Sequence, residues 1–125
     1  MTTKTRLIYS PNFDGKKRAA KDIRFLIFHY TGMKKEKNAI KRLTKIQSQV
    51  SIHYLIKKNG EIIEIVPDLY SAWHAGVSNW GKCSSLNKHS IGIEISNPGH
   101  QFGYVNFSKK QIKNLIKLSN SLINK

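Results

Sequence analysis

The run Ile23-Arg24-Phe25-Leu26-Ile27-Phe28 constrains this chain most, because an apolar, β-prone stretch of that kind is buried as a strand. It ends in His29-Tyr30-Thr31-Gly32, where the chain breaks into a polar loop. A strand over residues 24–29 places Phe25, Ile27 and His29 on one face. The strand fixes the backbone and the loop opens the imidazole to a cleft, which suits a metal site. Alone, a histidine at a strand end is more often a structural hydrogen-bonding residue than a ligand. His29 therefore needs support from elsewhere in the chain.

The flanking sequence supplies partners for that strand. Residues 1–22 read as an irregular lead-in, with Pro11-Asn12-Phe13-Asp14-Gly15 as a turn. Asn38 caps a helix over about 39–48, with Ile40, Leu43 and Ile46 at helical spacing. His53–Lys58 and Glu61–Val66 flank Asn59-Gly60, a pair that tolerates the positive φ angles of a two-residue type I′ hairpin turn. Pro67 ends the second strand, and residues 70–89 are loop-like. A strand over about 90–96 turns Ile91, Ile93 and Ile95 one way and Gly92, Glu94 and Ser96 the other. Ser108 and Gln111 form a capping box for a helix over about 108–123, whose apolar stripe is Ile112, Leu115, Ile116, Leu122 and Ile123. The order strand, helix, hairpin, strand, helix predicts an α/β fold, a single mixed β-sheet flanked by helices, in one domain over 1–125.

Composition narrows the function classes. The 39% hydrophobic fraction and clear strand runs argue against disorder, and the absence of an 18-residue apolar run excludes a transmembrane helix. Met1–Arg24 carries basic residues without an apolar segment, so no secretory signal is expected. A cytoplasmic location follows, with the cell envelope as the alternative. Cys83 is the only cysteine, which rules out an internal disulfide, and it reads as a bystander. The net charge of +15 raises nucleic-acid binding, but eighteen of the 22 basic residues are Lys, spread along the chain, and base readout leans on Arg. Coding bias in an AT-rich genome, visible in the joint Lys, Ile and Asn excess, outweighs a nucleic-acid role. A basic surface also attracts fragments that bear carboxylates.

Two later segments support His29: Ala72-Trp73-His74-Ala75-Gly76-Val77-Ser78 and Ser90-Ile91-Gly92-Ile93-Glu94-Ile95. Each has a bland reading, Glu94 as an acid on a solvated sheet face and Trp73-His74 as a packed Trp beside a surface His. If the Glu94 face is instead a cleft floor, partial burial raises its pKa and lets it take a proton from a water and return it to a leaving nitrogen. Gly92 on that face leaves space above the sheet. Trp73 and His74 at a groove edge can stack on a sugar and hydrogen-bond its hydroxyls.

In this order, from about Leu7 through Ser10-Pro11-Asn12-Phe13-Asp14 to Lys125, the motifs resemble the zinc-dependent N-acetylmuramoyl-L-alanine amidase family (amidase type 2, related to peptidoglycan recognition proteins). That family cleaves the sugar–peptide amide of bacterial peptidoglycan, and the nearest likeness is to the peptidoglycan-recycling type. The resemblance implies His29 as the first zinc ligand, Glu94 as the catalytic carboxyl, and Tyr30, Trp73 and His74 around the substrate. A zinc held by three protein ligands keeps one position for a water whose pKa falls to about 7. His53 also matches a family motif and is expected to support the sheet interior. Phage-lysozyme-type relatives carry a catalytic Tyr where this chain has Ile52, so that chemistry does not carry over. His89 and His100 take no role.

After the last helix the family continues with a Gly-His segment and an Arg/Lys-x-Asp-Pro-Gly segment, which supply the other ligands and an oxyanion-stabilising Lys. This sequence has neither, and no two of its five histidines have close metal-type spacing. The expectation is an amidase domain without the family's C-terminal zinc-ligand segment, with peptidoglycan or a muropeptide as partner. Two alternatives stay open. One is an inactive fragment binder; the other is a basic nucleic-acid module whose affinity falls steeply with salt.

Overall fold

Parallel pairing of β2 (Phe25–Tyr30) with β7 (Ser90–Ile95) sets the frame, with Phe25 opposite Ser90 and Tyr30 opposite Ile95. The structure, a computed structural model, describes residues 5–75, 79–80, 83–99, 101, 103 and 105–124. β3 (Tyr54–Ile56) runs parallel to β7 and antiparallel to β4 (Ile62–Glu64), and β1 (Thr5–Leu7) runs parallel to β4. The result is one mixed five-stranded sheet in the order β1-β4-β3-β7-β2. Its two faces carry separate cores. On one, Ile56, Ile62, Ile91, Ile93, Ile95 and Leu118 pack under α3 (Lys109–Ile123). On the other, Ile52, Leu55, Ile63, Ile65 and Val66 pack with Leu43 of α1 (Glu36–Thr44). The period-two alternation of β7 therefore sends its isoleucines to the α3 side and Gly92 and Glu94 to the α1 side.

Several expectations are corrected. The lead-in contains β1, exposed along its length and so without an alternating pattern to read. The backbone bonds from Ile8 to Glu64 and from Ser10 to Ile65 continue that edge. Helix α1 starts at Glu36, with extended Lys35 as its N-cap, and Asn38 sits inside the first turn, donating its N–H to the Lys35 carbonyl. Ala39 and Leu43 are its buried positions, while Ile46 lies beyond the helix in a 3-10 turn and is 63% exposed. Residues 70–89 hold a short ladder between β5 (Asn79–Trp80) and β6 (Cys83–Ser84), then the one-turn helix α2 (Leu86–His89).

The hairpin forms where expected but with a different turn. Ile56 faces Ile62, and Lys57 donates its N–H to the Glu61 carbonyl, which leaves Lys58, Asn59 and Gly60 as a three-residue loop. Gly60 donates back to the Lys57 carbonyl at 2.9 Å and has φ +90°, whereas Asn59 is not in the positive-φ region. This is a type I turn closed by a left-handed glycine, the three-residue alternative to type I′. Helix α3 keeps its predicted capping box, with Ser108 and Gln111 bonded reciprocally. Its buried stripe is rotated, however. Gln111 is drawn under the helix to donate to the Ser96 carbonyl at 2.8 Å, and Asn114 donates to the Gly60 carbonyl. Leu115, Leu118 and Leu122 then face the sheet, and Ile112, Ile116 and Ile123 are exposed. Among the described residues no helix is long and apolar enough to cross a membrane.

Gly60 sits against α3 so closely that a Cβ there would stand 2.8 Å from Asn114 Nδ2 and 3.0 Å from Lys110 Cβ. Gly60→Ala is expected to cost about 2 kcal/mol, from the left-handed backbone and this crowding. Urea unfolding measures it, and an unchanged midpoint would contradict the turn assignment.

Candidate active site

The β2–β7 register puts His29 directly opposite Glu94, both on the α1 side of the sheet. Beyond the strands, the Thr31 hydroxyl donates to the Asn97 carbonyl at 3.0 Å and accepts from the Asn97 N–H at 3.1 Å, tying the two exits together. One step back, Gly92 faces Ile27. A Cβ at position 92 would lie 2.6 Å from Ile52 Cδ1 and 2.7 Å from His74 Cγ. The space that Gly92 leaves above the sheet is thus filled by the protein's own His74 ring, not left open for a ligand.

The segment that carries His74 is held by side chains far away in sequence. The Trp73 N–H donates to Ser51 Oγ and its indole Nε1 to Asp14 Oδ1, both at 2.9 Å. The N–H groups of His74 and Ala75 converge on Asn87 Oδ1 at 3.1 and 2.8 Å. The Asn87 main-chain carbonyl accepts from Arg18 Nη1 at 3.0 Å, and Arg18 also donates Nε and Nη2 to the Asp68 carbonyl. Asn87 and Arg18 therefore bracket this loop. The His74 ring is engaged at both ends, with Nδ1 3.0 Å from His29 Nε2 and Nε2 3.1 Å from Ser90 Oγ. Both ring nitrogens of His74 thus have partners within the protein. His53 is fully buried; its Nδ1 accepts the Gly92 N–H at 3.0 Å and its Nε2 donates to the Tyr70 carbonyl at 2.7 Å. This ties β3 to β7 as expected of a sheet-interior residue.

A cavity of about 160 Å³ opens at this point, bordered by His29, Tyr30, Arg42, Trp73, His74 and Glu94. Its size suits the reacting part of a ligand, not the whole of a large one. Tyr30 belongs to the rim. It alternates to the opposite sheet face from His29, and its half-exposed ring covers Gly99, where a Cβ would stand 2.5 Å from Tyr30 Cε2. A larger cavity of about 710 Å³ lies on the α3 side, among Ile23, Leu26, Ile91, Leu122 and Ile123. Its lining includes no histidine, whereas the smaller one borders His29, His74 and Glu94. His89 is remote, with its Nδ1 3.0 Å from the Asp22 carbonyl. Gly76, Val77 and Ser78 of the Trp-His motif, and His100, lie outside the described residues.

Burial sets the electrostatics. It lifts the Glu94 carboxyl to about 7, against the opposing pull of the Arg42 charge. It lowers His74 to about 3, with the His53 and His29 rings adding to the shift, and His53 to about 4. Burial also lowers His29. At neutral pH the cleft thus holds uncharged imidazoles and a carboxyl poised to take or give a proton. A neutral imidazole bordering a cavity fits one position of a metal. Among the described residues no three His, Cys, Asp or Glu converge, whereas a catalytic zinc takes three protein ligands. The described residues therefore do not complete such a set around His29. Sequence reasoning missed Arg18, Arg42, Asn87 and Ser90. Only Ser90 carried a signal, because it alternates with Gly92 and Glu94 on the same face of β7.

Comparison with known proteins gives the chain its relatives. The profile of the family described as N-acetylmuramoyl-L-alanine amidase matches residues 19–125. The chain is 36% identical to the N-acetylmuramoyl-L-alanine amidase AmiD of Escherichia coli K12 over 81% of its own length. It is 33% identical to the 1,6-anhydro-N-acetylmuramyl-L-alanine amidase AmpD of Haemophilus influenzae over 98%. It spans 40% of that AmiD and 73% of that AmpD. Among solved structures, the complex of E. coli AmiD with the substrate anhydro-N-acetylmuramic acid-L-Ala-D-γ-Glu-L-Lys superposes with a TM-score of 0.71, covering 82% of this chain and 44% of that one. A selenomethionine AmpD structure superposes at 0.80, with 26% identity, over 99% of this chain and 76% of that one.

Two outcomes follow from the packing and burial. Below pH 6.5 the unfolded chain protonates His53 while the fold, with its pKa near 4, refuses the proton. Stability is full above that pH and falls as pH drops toward 4, by about 2 kcal/mol at pH 5 for this residue. Glu94, lifted to about 7, gains stability over the same interval, so urea midpoints at pH 7 and 5 are read in Glu94→Gln, where that opposing gain is absent, and equal midpoints there would contradict neutral burial. Gly92→Ala overpacks Ile52 and His74 and is expected to cost about 1–3 kcal/mol. Thermal and urea unfolding check this, and a neutral result would mean that the His74 ring does not rest on Gly92.

Proposed function

The chain belongs to the N-acetylmuramoyl-L-alanine amidase family, and from that membership we propose that its cleft hydrolyses the amide between N-acetylmuramoyl and L-alanine in peptidoglycan fragments. The observation that carries this reading is Glu94, a carboxyl lifted to about 7 by burial and set opposite His29 on the cavity floor. A proton carrier for amide hydrolysis must accept from a water and then deliver to the leaving nitrogen, and a pKa near the working pH serves both steps. Arg42 opposes the lift on Glu94 and so limits it. His29 would supply one ligand to a zinc ion, and among the described residues no set of three is complete. A zinc held there would supply a water of lowered pKa and polarise the amide carbonyl. Trp73, pinned by Asp14 and Ser51, offers its ring to the sugar, and Tyr30 contacts the substrate at the rim. His74 acts through His29, since its own ring nitrogens are engaged. The net charge of +15 draws in a stem peptide that bears carboxylates.

The alternative reading is a muropeptide binder without turnover. Zinc-supplemented protein incubated with an anhydro-muramyl tripeptide separates the two. Release of free peptide, followed by mass spectrometry, is expected from the wild-type chain and is expected to fall about 100-fold or more in Glu94→Gln. Turnover should also decline as pH drops below about 7, where Glu94 takes its proton. Binding without cleavage would leave the second reading, and neither binding nor cleavage would overturn both.

A further inference from the structure

Among the described residues Arg42 is the single Lys or Arg on the border of the cleft, and the fold gives its guanidinium nothing to hold. It sits in the last turn of α1, beside buried Leu43, and is itself exposed. Its charge reaches the Glu94 carboxyl, yet among the described residues its side chain makes no hydrogen bond and no ion pair. Arg18 and Arg6 show the contrast: the first is committed to the Asp68 and Asn87 carbonyls and the second to Glu61. The backbone beneath Arg42 is nonetheless held. Its carbonyl accepts from Ser48 Oγ, and buried Asn12 donates Nδ2 to the Lys45 and Val50 carbonyls at 2.8 and 2.9 Å. A guanidinium on a fixed base with no internal partner is a receptor for a planar anion, and a carboxylate matches its forked N–H geometry.

The proposed substrate offers such a group at one place near the reacting bond. In the peptide bound by the AmiD relative, L-Ala is followed by D-γ-Glu, which is joined through its side-chain carboxyl and so keeps a free α-carboxylate. In an extended chain that carboxylate lies about 6 Å past the nitrogen of the muramoyl–alanine amide. It is the first anionic group on the peptide side of that bond. Glu94 and Arg42 border one cavity of about 160 Å³, a space short enough for the amide to lie by the first and the carboxylate by the second. Resting on the amidase reading, we propose that Arg42 is a specificity-determining residue that binds the free α-carboxylate of the second stem residue, so that the cleft selects acidic over amidated stems. The net charge of +15 attracts every anion alike, whereas Arg42 reads one carboxylate by its position relative to the amide.

Titration calorimetry of the full chain, kept free of metal so that no peptide is cleaved, tests this with two anhydro-muramyl tripeptides. One carries the α-carboxylate on its D-γ-Glu residue and the other an α-carboxamide at the same atom. The wild-type chain is expected to bind the acid about 5–10-fold tighter, a modest margin because Arg42 is exposed to water. Arg42→Gln should abolish the difference, and Arg42→Lys, which keeps the charge without the fork, should keep part of it. Lys41→Gln removes a charge from the same helical turn but not from the cleft border, and should keep all of it. Equal wild-type affinities, or a difference that survives Arg42→Gln, would overturn the proposal. That result together with peptide release in the zinc-supplemented assay would leave the amidase reading standing. Discrimination through Arg42 without release would support the carboxylate site and contradict the reaction, and binding of neither peptide would overturn both.

Discussion

The site depends on a missing side chain. At Gly92 the sheet surface drops by one Cβ, and Ile52 and the His74 ring occupy the vacated volume at distances that no alanine would permit. The Gly92 N–H is taken by His53 Nδ1, so the same residue also joins β3 to β7 through a buried ring. Glycine in a strand interior is unfavourable by roughly 0.5–1 kcal/mol relative to alanine. Here the cost is offset by packing that brings three histidines and a glutamate together on one face. A side chain on β7 there would displace Ile52 and the His74 ring, which stands 3.0 Å from His29.

Desolvation, more than ion pairing, gives this face its chemistry. The chain carries a net charge of +15, yet no basic residue is the main cause of any shift in the cleft. Burial keeps the imidazoles neutral and pushes Glu94 toward 7, and the Arg42 charge only moderates the carboxyl. A neutral imidazole opposite a carboxyl that titrates near neutrality suits the proposed hydrolysis. The brackets around it are uncharged or main-chain contacts: Asn87 on two N–H groups, Ser90 on a carbonyl, Ser51 on the Trp73 N–H. These keep their strength in salt better than exposed ion pairs do.

What was legible in the sequence follows from period and distance. Alternation placed Ile91, Ile93 and Ile95 opposite Gly92 and Glu94 and put His29 at the end of a strand, but that strand is the half-exposed edge of the sheet and not a buried one, because β7 covers only one of its sides. The Asn59-Gly60 hairpin was located correctly, but the dipeptide serves two turn types, and only the backbone bonds reveal that Gly60 alone takes positive φ. The stripe of α3 was misread because Gln111 is polar by composition yet buried by its bond to the Ser96 carbonyl. For His74 the motif is local, whereas its ring contacts are to residues 45 and 16 positions away, which local sequence does not reveal. Arg18 and Asn87 act on backbone groups across the fold, and nothing in local sequence marks them.

A crystal structure of the Glu94→Gln chain with an anhydro-muramyl peptide bound tests the central claim most directly. The muramoyl–alanine amide is predicted to lie in the cleft between His29 and position 94, with the sugar against Trp73. A peptide seated in the larger cavity beside Leu26 and Leu122, or in the cleft with its amide turned away from His29, would contradict the account.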